Sequence, residues 1–270
     1  KLIDEKITAA GLSNLGKATI REIVGLVNVL QQETGVKYMR MEMGVPGLKP
    51  SDIGTNAEID ALHKGVAADY PMVDGLKELK EESSGFVKNF MNIEISPTGC
   101  IPTVGSMQGG YATFLINGFL DPAKDTALFI DPGFPVQKQQ FRVLGQKFES
   151  FDVYHYRGEK LHDKLKSYLE KGNINSIIYS NPNNPAWFCL TEEELKIIGD
   201  LCNQYDVIAV EDLAYFAMDF RRDMSKPGQP PYQLSVANFT NNYVLLISGS
   251  KAFSYAGQRI VIKGCSDKPV

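Results

Sequence analysis

From residue 127 onward, four short apolar runs each stop at a cluster of polar or charged residues. The runs are 127–130 before Asp131, 176–179 before Asn181 to Asn184, 207–210 before Glu211 and Asp212, and 243–247 before Ser248 to Lys251. Runs this short and this continuously apolar suit strands covered on both faces. Helix-patterned segments lie among them: 106–120 is apolar, 159–171 is amphipathic and ends at Gly172, and a third begins at Thr191. Thr191 and Glu194 have the T-x-x-E spacing of a capping box, which satisfies two helix-end amides reciprocally. Strands alternating with helices predict an α/β domain with a mostly parallel sheet. In open sheets of this kind the ligand crevice lies at the carboxyl ends of the strands. The four polar clusters are therefore expected to face one crevice.

The remaining sequence narrows the options. At 270 residues and 43% hydrophobic, the chain can bury a sizeable core. Lys and Arg number 28 against 32 Asp and Glu, with no basic block, which disfavours a nucleic-acid partner. No apolar stretch is long enough to span a bilayer, and the N-terminal K-L-I-D-E-K-I-T lacks the apolar core of a secretory signal. The scattered Cys100, Cys189, Cys202 and Cys265 form no C-x-x-C and read as reduced thiols of a cytoplasmic protein. With His63, His155 and His162 they show no metal-ligand spacing, so no metal is expected. Toward the N-terminus, 15–32 reads as an amphipathic helix stopped by Gly35, 37–43 as a short strand, 49–55 as a linker and 74–82 as helical. Gly11 to Ala18, G-L-S-N-L-G-K-A, approaches a phosphate-loop pattern but has Ala where a magnesium ligand is needed and no buried strand before it.

Each candidate motif has two readings. Ser106 and Met107 open an apolar helix, where free backbone amides favour a phosphate; a plain helix cap is the simpler reading. Phe134, in D-P-G-F-P, is either loop packing or a ring-stacking platform. Asn184, in N-P-N-N-P, is either a turn former or an amide fixed in the crevice. Asp212 ends an apolar strand, where it either caps a helix or pairs with a protonated ring nitrogen. S-G-S-K-A-F-S-Y-A-G-Q-R (248–259) sets Lys251 just past a buried strand and Arg259 eight residues on. Desolvation there lowers a lysine pKa and frees its amine for imine formation, and the guanidinium fork suits a phosphate.

Taken together these segments resemble the class I/II aminotransferases, the pyridoxal-5′-phosphate (PLP) enzymes of fold type I. K-A-T-I-R-E-I-V-G-L (17–26) resembles the family's N-terminal helix, and M-R-M-E-M-G-V-P (39–46) the turn that brings a glycine, here Gly44, to the substrate. Y-P-M-V-D-G-L-K-E-L (70–79) resembles the segment whose tyrosine, here Tyr70, reaches the phosphate of a neighbouring subunit. Asn184, Asp212, Tyr215, Lys251 and Arg259 follow the order of the family's cofactor set.

The resemblance implies a three-layer α/β/α large domain with a mostly parallel sheet, plus the N-terminal part of a small domain. Residues 1–48 are expected to be the arm and small-domain portion, and 49–270 the PLP-binding domain. It also implies roles: Lys251 as the imine-forming base, Asp212 on the pyridinium nitrogen, Asn184 and Tyr215 on the phenolic oxygen, and Phe134 on the ring. Ser106, Met107, Ser248, Arg259 and a second chain's Tyr70 would hold the phosphate, which implies a homodimer with shared sites. Gly44 and Asn184 would face the substrate. The activity implied is transfer of an amino group between an amino acid and a 2-oxo acid through a pyridoxamine phosphate intermediate. A PLP-dependent C–S lyase and a non-catalytic PLP-binding protein remain alternatives. Two departures stand out. Ala186 and Trp187 replace the family's usual Thr-Gly after Pro185, and the resemblance implies a C-terminal segment, with an arginine for the substrate carboxylate, that is not among the residues up to Val270, so the large domain is expected to be incomplete at that end.

Overall fold

The computed structural model describes residues 2–266. The chain divides after Pro46 into two compact units. The first holds α1 (Leu2–Ala9) and α2 (Ile20–Thr34). Leu12, Leu26 and Leu30 form its small core. The helix expected over 15–32 is interrupted: Leu15–Lys17 is a 3-10 turn, and α2 starts only after Thr19, whose capping box with Glu22 resets the chain. Gly35 ends α2 in the left-handed region, at φ 66°. No strand forms over 37–43, because no ladder among the described residues takes up its backbone groups.

The second unit opens with α3 (Asp52–His63), which starts inside the stretch expected to be a linker. None of its residues is buried, so its sequence carries no apolar stripe to betray it. Then come α4 (Lys77–Met91), β1 (Cys100–Val104), α5 (Gly105–Leu120), β2 (Thr126–Asp131), α6 (Pro135–Leu144) and β3 (Lys147–Asp152). They are followed by α7 (Lys160–Leu169), β4 (Ile174–Ser180), α8 (Glu192–Tyr205), β5 (Ile208–Leu213), β6 (Tyr243–Ser248), α9 (Gly249–Ala252) and β7 (Ile260–Cys265). The Thr191–Glu194 capping box forms at the start of α8 as the spacing predicts.

One sheet runs β1-β7-β6-β5-β4-β2-β3. β7 is antiparallel to both neighbours, while the other strands share one direction. Side chains alternate between two cores, as strand period two requires. Phe129, Ile178, Val210 and Leu246 face one core with Phe114 of α5 and Phe141 of α6. Leu128, Ile177, Ala209 and Leu245 face the other with Val87 of α4, Leu165 of α7 and Ile198 of α8. Gly109 lets α5 approach the sheet closely: a Cβ there would lie 3.1 Å from Leu246 Cδ2.

Phe114 is fully buried between α6 and the sheet, its ring centroid 4.8 Å from that of Phe141. Phe114→Ala is expected to cost about 3–5 kcal/mol, read as a lower denaturant midpoint. An unchanged midpoint would contradict this packing.

Candidate active site

Six strands end on one edge of the sheet, and β7 begins there because it runs the other way. Ser248 pairs with Val261, and Val104 with Ile260. Arg259, one residue before β7, therefore arrives at this edge beside the ends of β1 and β6. Asp212 and Ser180 are register partners on β5 and β4. The edge thus gathers Ser106 and Met107 after β1, Phe134 after β2, Asn184 after β4, Asp212 on β5 with Tyr215 just after it, and Ser248 at the end of β6 with Lys251 in α9.

Period two separates the two acids. Asp212 shares its parity with Val210 and points to the α5/α6 face, where Gln137 Nε2 donates to its Oδ2 at 2.8 Å. The Ala214 amide donates to Oδ1 at 3.1 Å. No cation pairs with this carboxylate among the described residues, and burial raises its pKa to about 6. Glu211 points the other way. It accepts from Ser235 Oγ at 2.5 Å, the Val236 amide at 3.0 Å and Asn181 Nδ2 at 3.1 Å, and burial raises its pKa to about 7. Asn181 Oδ1 in turn accepts the Leu190 amide at 3.1 Å. Glu211 fastens the loop after β4, whereas Asp212 is the carboxylate left for a ligand. A protonated ring nitrogen is the kind of partner that a buried acid with only neutral donors lacks.

The cationic side is built around Gly105, whose φ of 76° favours glycine. A Cβ there would lie 2.0 Å from Arg259 Nη2, so the guanidinium lies directly over the start of α5. Val104, at the cap position, has no side chain that could satisfy the first amides of α5. Arg259 donates to the Ala256 carbonyl at 2.9 Å and has no carboxylate partner among the described residues. Free helix-end amides beside an arginine suit a phosphate. Ser248 is buried and caps α9, accepting the Ser250 amide at 3.1 Å. Lys251 is half-buried, and desolvation, then the nearby Arg259 charge, lowers its pKa.

Asn184 is half-buried, its backbone N–H donating to Ser180 Oγ at 3.2 Å. Tyr215 feels both burial and the Asp212 charge, which raise its phenol pKa. Met107 is partly exposed and takes Gln140 on its carbonyl at 2.8 Å. Phe134 is half-buried at the cap of α6. Tyr70 is fully exposed and does not join the cluster within this chain, and Gly44 belongs to the first unit. A cavity of about 760 Å³ lined by Arg157, Trp187, Phe188, Arg222 and Tyr232 borders the loop after β4 and contains none of Asp212, Lys251 or Arg259. The sequence reading missed Gln137 and Ser180. A glutamine at i−4 from buried Phe141, on the buried face of α6, was the available signal for the first.

The family model for aminotransferases of class I and II matches residues 37–267. The chain belongs to this family. Relatives include LL-diaminopimelate aminotransferase of Natranaerobius thermophilus, 25% identical over 85% of this chain, and aspartate aminotransferase of Bacillus subtilis, 26% identical over 76%. The chain spans 58% and 50% of their respective lengths. Among solved structures, a Thermus thermophilus aspartate aminotransferase mutant superposes with a TM-score of 0.76 at 18% identity, covering 93% of this chain and 62% of the other. An aminotransferase from Mycobacterium tuberculosis gives 0.75 at 20%, covering 93% and 62%. The α/β sheet described above is that of the fold type I enzymes in this aminotransferase family.

The uncompensated acid makes the cofactor-free protein sensitive to pH. Asp212 binds its proton more tightly folded than unfolded, so its contribution to stability falls as pH rises from about 4 through about 6. Asp212→Asn removes that dependence, provided Gln137 turns its amide to suit the new side chain. Relative to wild type, the variant should gain on the order of 3 kcal/mol between pH 4 and pH 7. A stability difference that does not change with pH would contradict the assignment.

Proposed function

We propose that this chain is the cofactor-binding part of an amino-acid aminotransferase that moves an amino group between an amino acid and a 2-oxo acid using PLP. The observation that carries this reading is the buried Asp212, without a cationic partner among the described residues, on the same edge as Lys251 and Arg259. Bound there, the cofactor would supply an electron sink for the carbanion left when a substrate Cα loses its proton.

This chain's own residues would do the rest. Asp212, held by Gln137, keeps a ring nitrogen protonated. Lys251 Nζ is the covalent anchor, and its lowered pKa leaves more free amine to take and return the Cα proton. Arg259, the α5 amides at Ser106 and Met107, and the Ser248 hydroxyl bind the phosphate. Asn184 and Tyr215 donate to the phenolic oxygen, Phe134 stacks on the ring, and Gly44 and Asn184 face the substrate. Residues 1–48 would belong to the arm and small domain, and 49–270 to the cofactor domain.

We further propose a homodimer in which Tyr70 of a second copy completes the phosphate site. An exposed apolar stripe on α5, at Met107, Tyr111, Leu115 and Phe119, supports it. The scattered cysteines, with no C-x-x-C pair, suit a reducing compartment, and we place the enzyme in the cytoplasm.

Borohydride reduction of the protein loaded with PLP, followed by peptide mapping, is expected to find the label on Lys251 and to lose it in Lys251→Ala. A label on another lysine would overturn the assignment. With an amino acid and a 2-oxo acid added, the loaded protein should exchange the amino group. Release of ammonia and pyruvate instead would mean a β-eliminating lyase. Leu115→Asp should convert the dimer to monomer by light scattering; a dimer that survives it would contradict the interface.

A further inference from the structure

Trp187 stands where the family resemblance implies a glycine, and its backbone is strained. It is the chain's sole tryptophan, and it sits at φ 54°, a conformation costly for a bulky side chain. The loop around it is tightly tied. The Trp187 amide donates to the Asn183 carbonyl at 3.1 Å, and the Ala186 amide donates to Asn183 Oδ1 at 3.1 Å. Asn183 Nδ2 donates to the Pro132 carbonyl at 2.7 Å, anchoring the loop to the turn after β2. A glycine would accept this backbone without strain. The strain is offset by what the ring touches. The Trp187 ring meets Tyr215 edge-on, with centroids 5.2 Å apart and an interplanar angle of 83°. Phe220 lies stacked at 6.1 Å and 21°. Both Trp187 (46% exposed) and Phe220 (77%) remain open to solvent, so core burial does not explain the tryptophan. Strained residues held in place by their surroundings cluster at functional sites.

We propose that Trp187 is a positioning residue for Tyr215, its ring edge fixing the phenol over the carboxyl edge of the sheet. The consequence for the cofactor rests on the function proposed above. A phenol donating to the cofactor's phenolic oxygen would draw off negative charge that otherwise helps hold a proton on the nitrogen shared with Lys251. Loosening Tyr215 therefore raises the pH midpoint of the bound cofactor's visible absorbance change. Aromatic pair energies correspond to a rise of roughly 0.4 to 1 pH unit.

The test is a double-mutant cycle on PLP-loaded protein, read as that absorbance midpoint. Trp187→Gly should raise the midpoint, Trp187→Phe should restore most of the wild-type value, and Trp187→Gly should add nothing in a Tyr215→Phe background. A wild-type midpoint in Trp187→Gly, or an equal shift in both backgrounds, would overturn the proposal. The contact is also read without cofactor. Emission from the sole tryptophan should shift to the red in Tyr215→Ala as its ring gains water contact, and unchanged emission would overturn the proposal. Wild-type protein that takes up no PLP would defeat the proposed function, while the emission result would still decide whether the two rings are coupled.

Discussion

A strand has only two sides, and the consequences of that constraint run through this molecule. Adjacent acids at the end of β5 must point to opposite faces. Glu211 meets three neutral donors and becomes part of the scaffold. Asp212 meets one side-chain amide and one backbone amide, and no cation among the described residues. A slip of one residue in register would exchange their fates. The register is held by Val210, Ile178, Leu246 and their alternates, which fill the two cores. The hydrophobic pattern therefore decides which acid is free to serve a ligand, and the cost of burying that acid is the reason to expect a cationic one.

The opposite charge is delivered by a reversal. Were β7 parallel to its neighbours, the residue before it would lie at the far edge of the sheet. Running antiparallel between β1 and β6, it instead brings Arg259 to the start of α5. Gly105 has no side chain to block the guanidinium, and Val104 has no oxygen to compete for the helix amides. The same edge thus carries an acid in one place and an anion cradle in another, a pairing suited to a ligand with a protonated ring and a phosphate.

Much of this was legible in the sequence because the central strands are covered on both sides. Continuous apolar runs marked β2, β4, β5 and β6, and the polar residues that ended them marked the site edge. Three of the elements that the sequence does not announce have little to hide. β3, K-F-E-S-F-D, lies at the sheet's border and is only partly buried, so its sequence has no apolar run. β1 contains Pro102 and is likewise an edge strand. α3 buries nothing, and its first turn falls inside the stretch that reads as a linker. The strand expected over 37–43 had alternation but no partner. Gln137 was invisible for another reason: its importance lies in a contact across 75 positions of sequence, which no local pattern reports.

Trp187 shows the limit of reasoning by family likeness. The fold follows the family, yet the loop after Asn184 takes a glycine-type backbone conformation with a tryptophan in it. The central claim, that Asp212 exists to hold a protonated pyridine, is tested most directly by nitrogen NMR of PLP labelled at its ring nitrogen and bound to the wild-type protein. The ring nitrogen should stay protonated to pH values where the free cofactor has lost that proton. A ring nitrogen that is neutral when bound at pH 7 would contradict it.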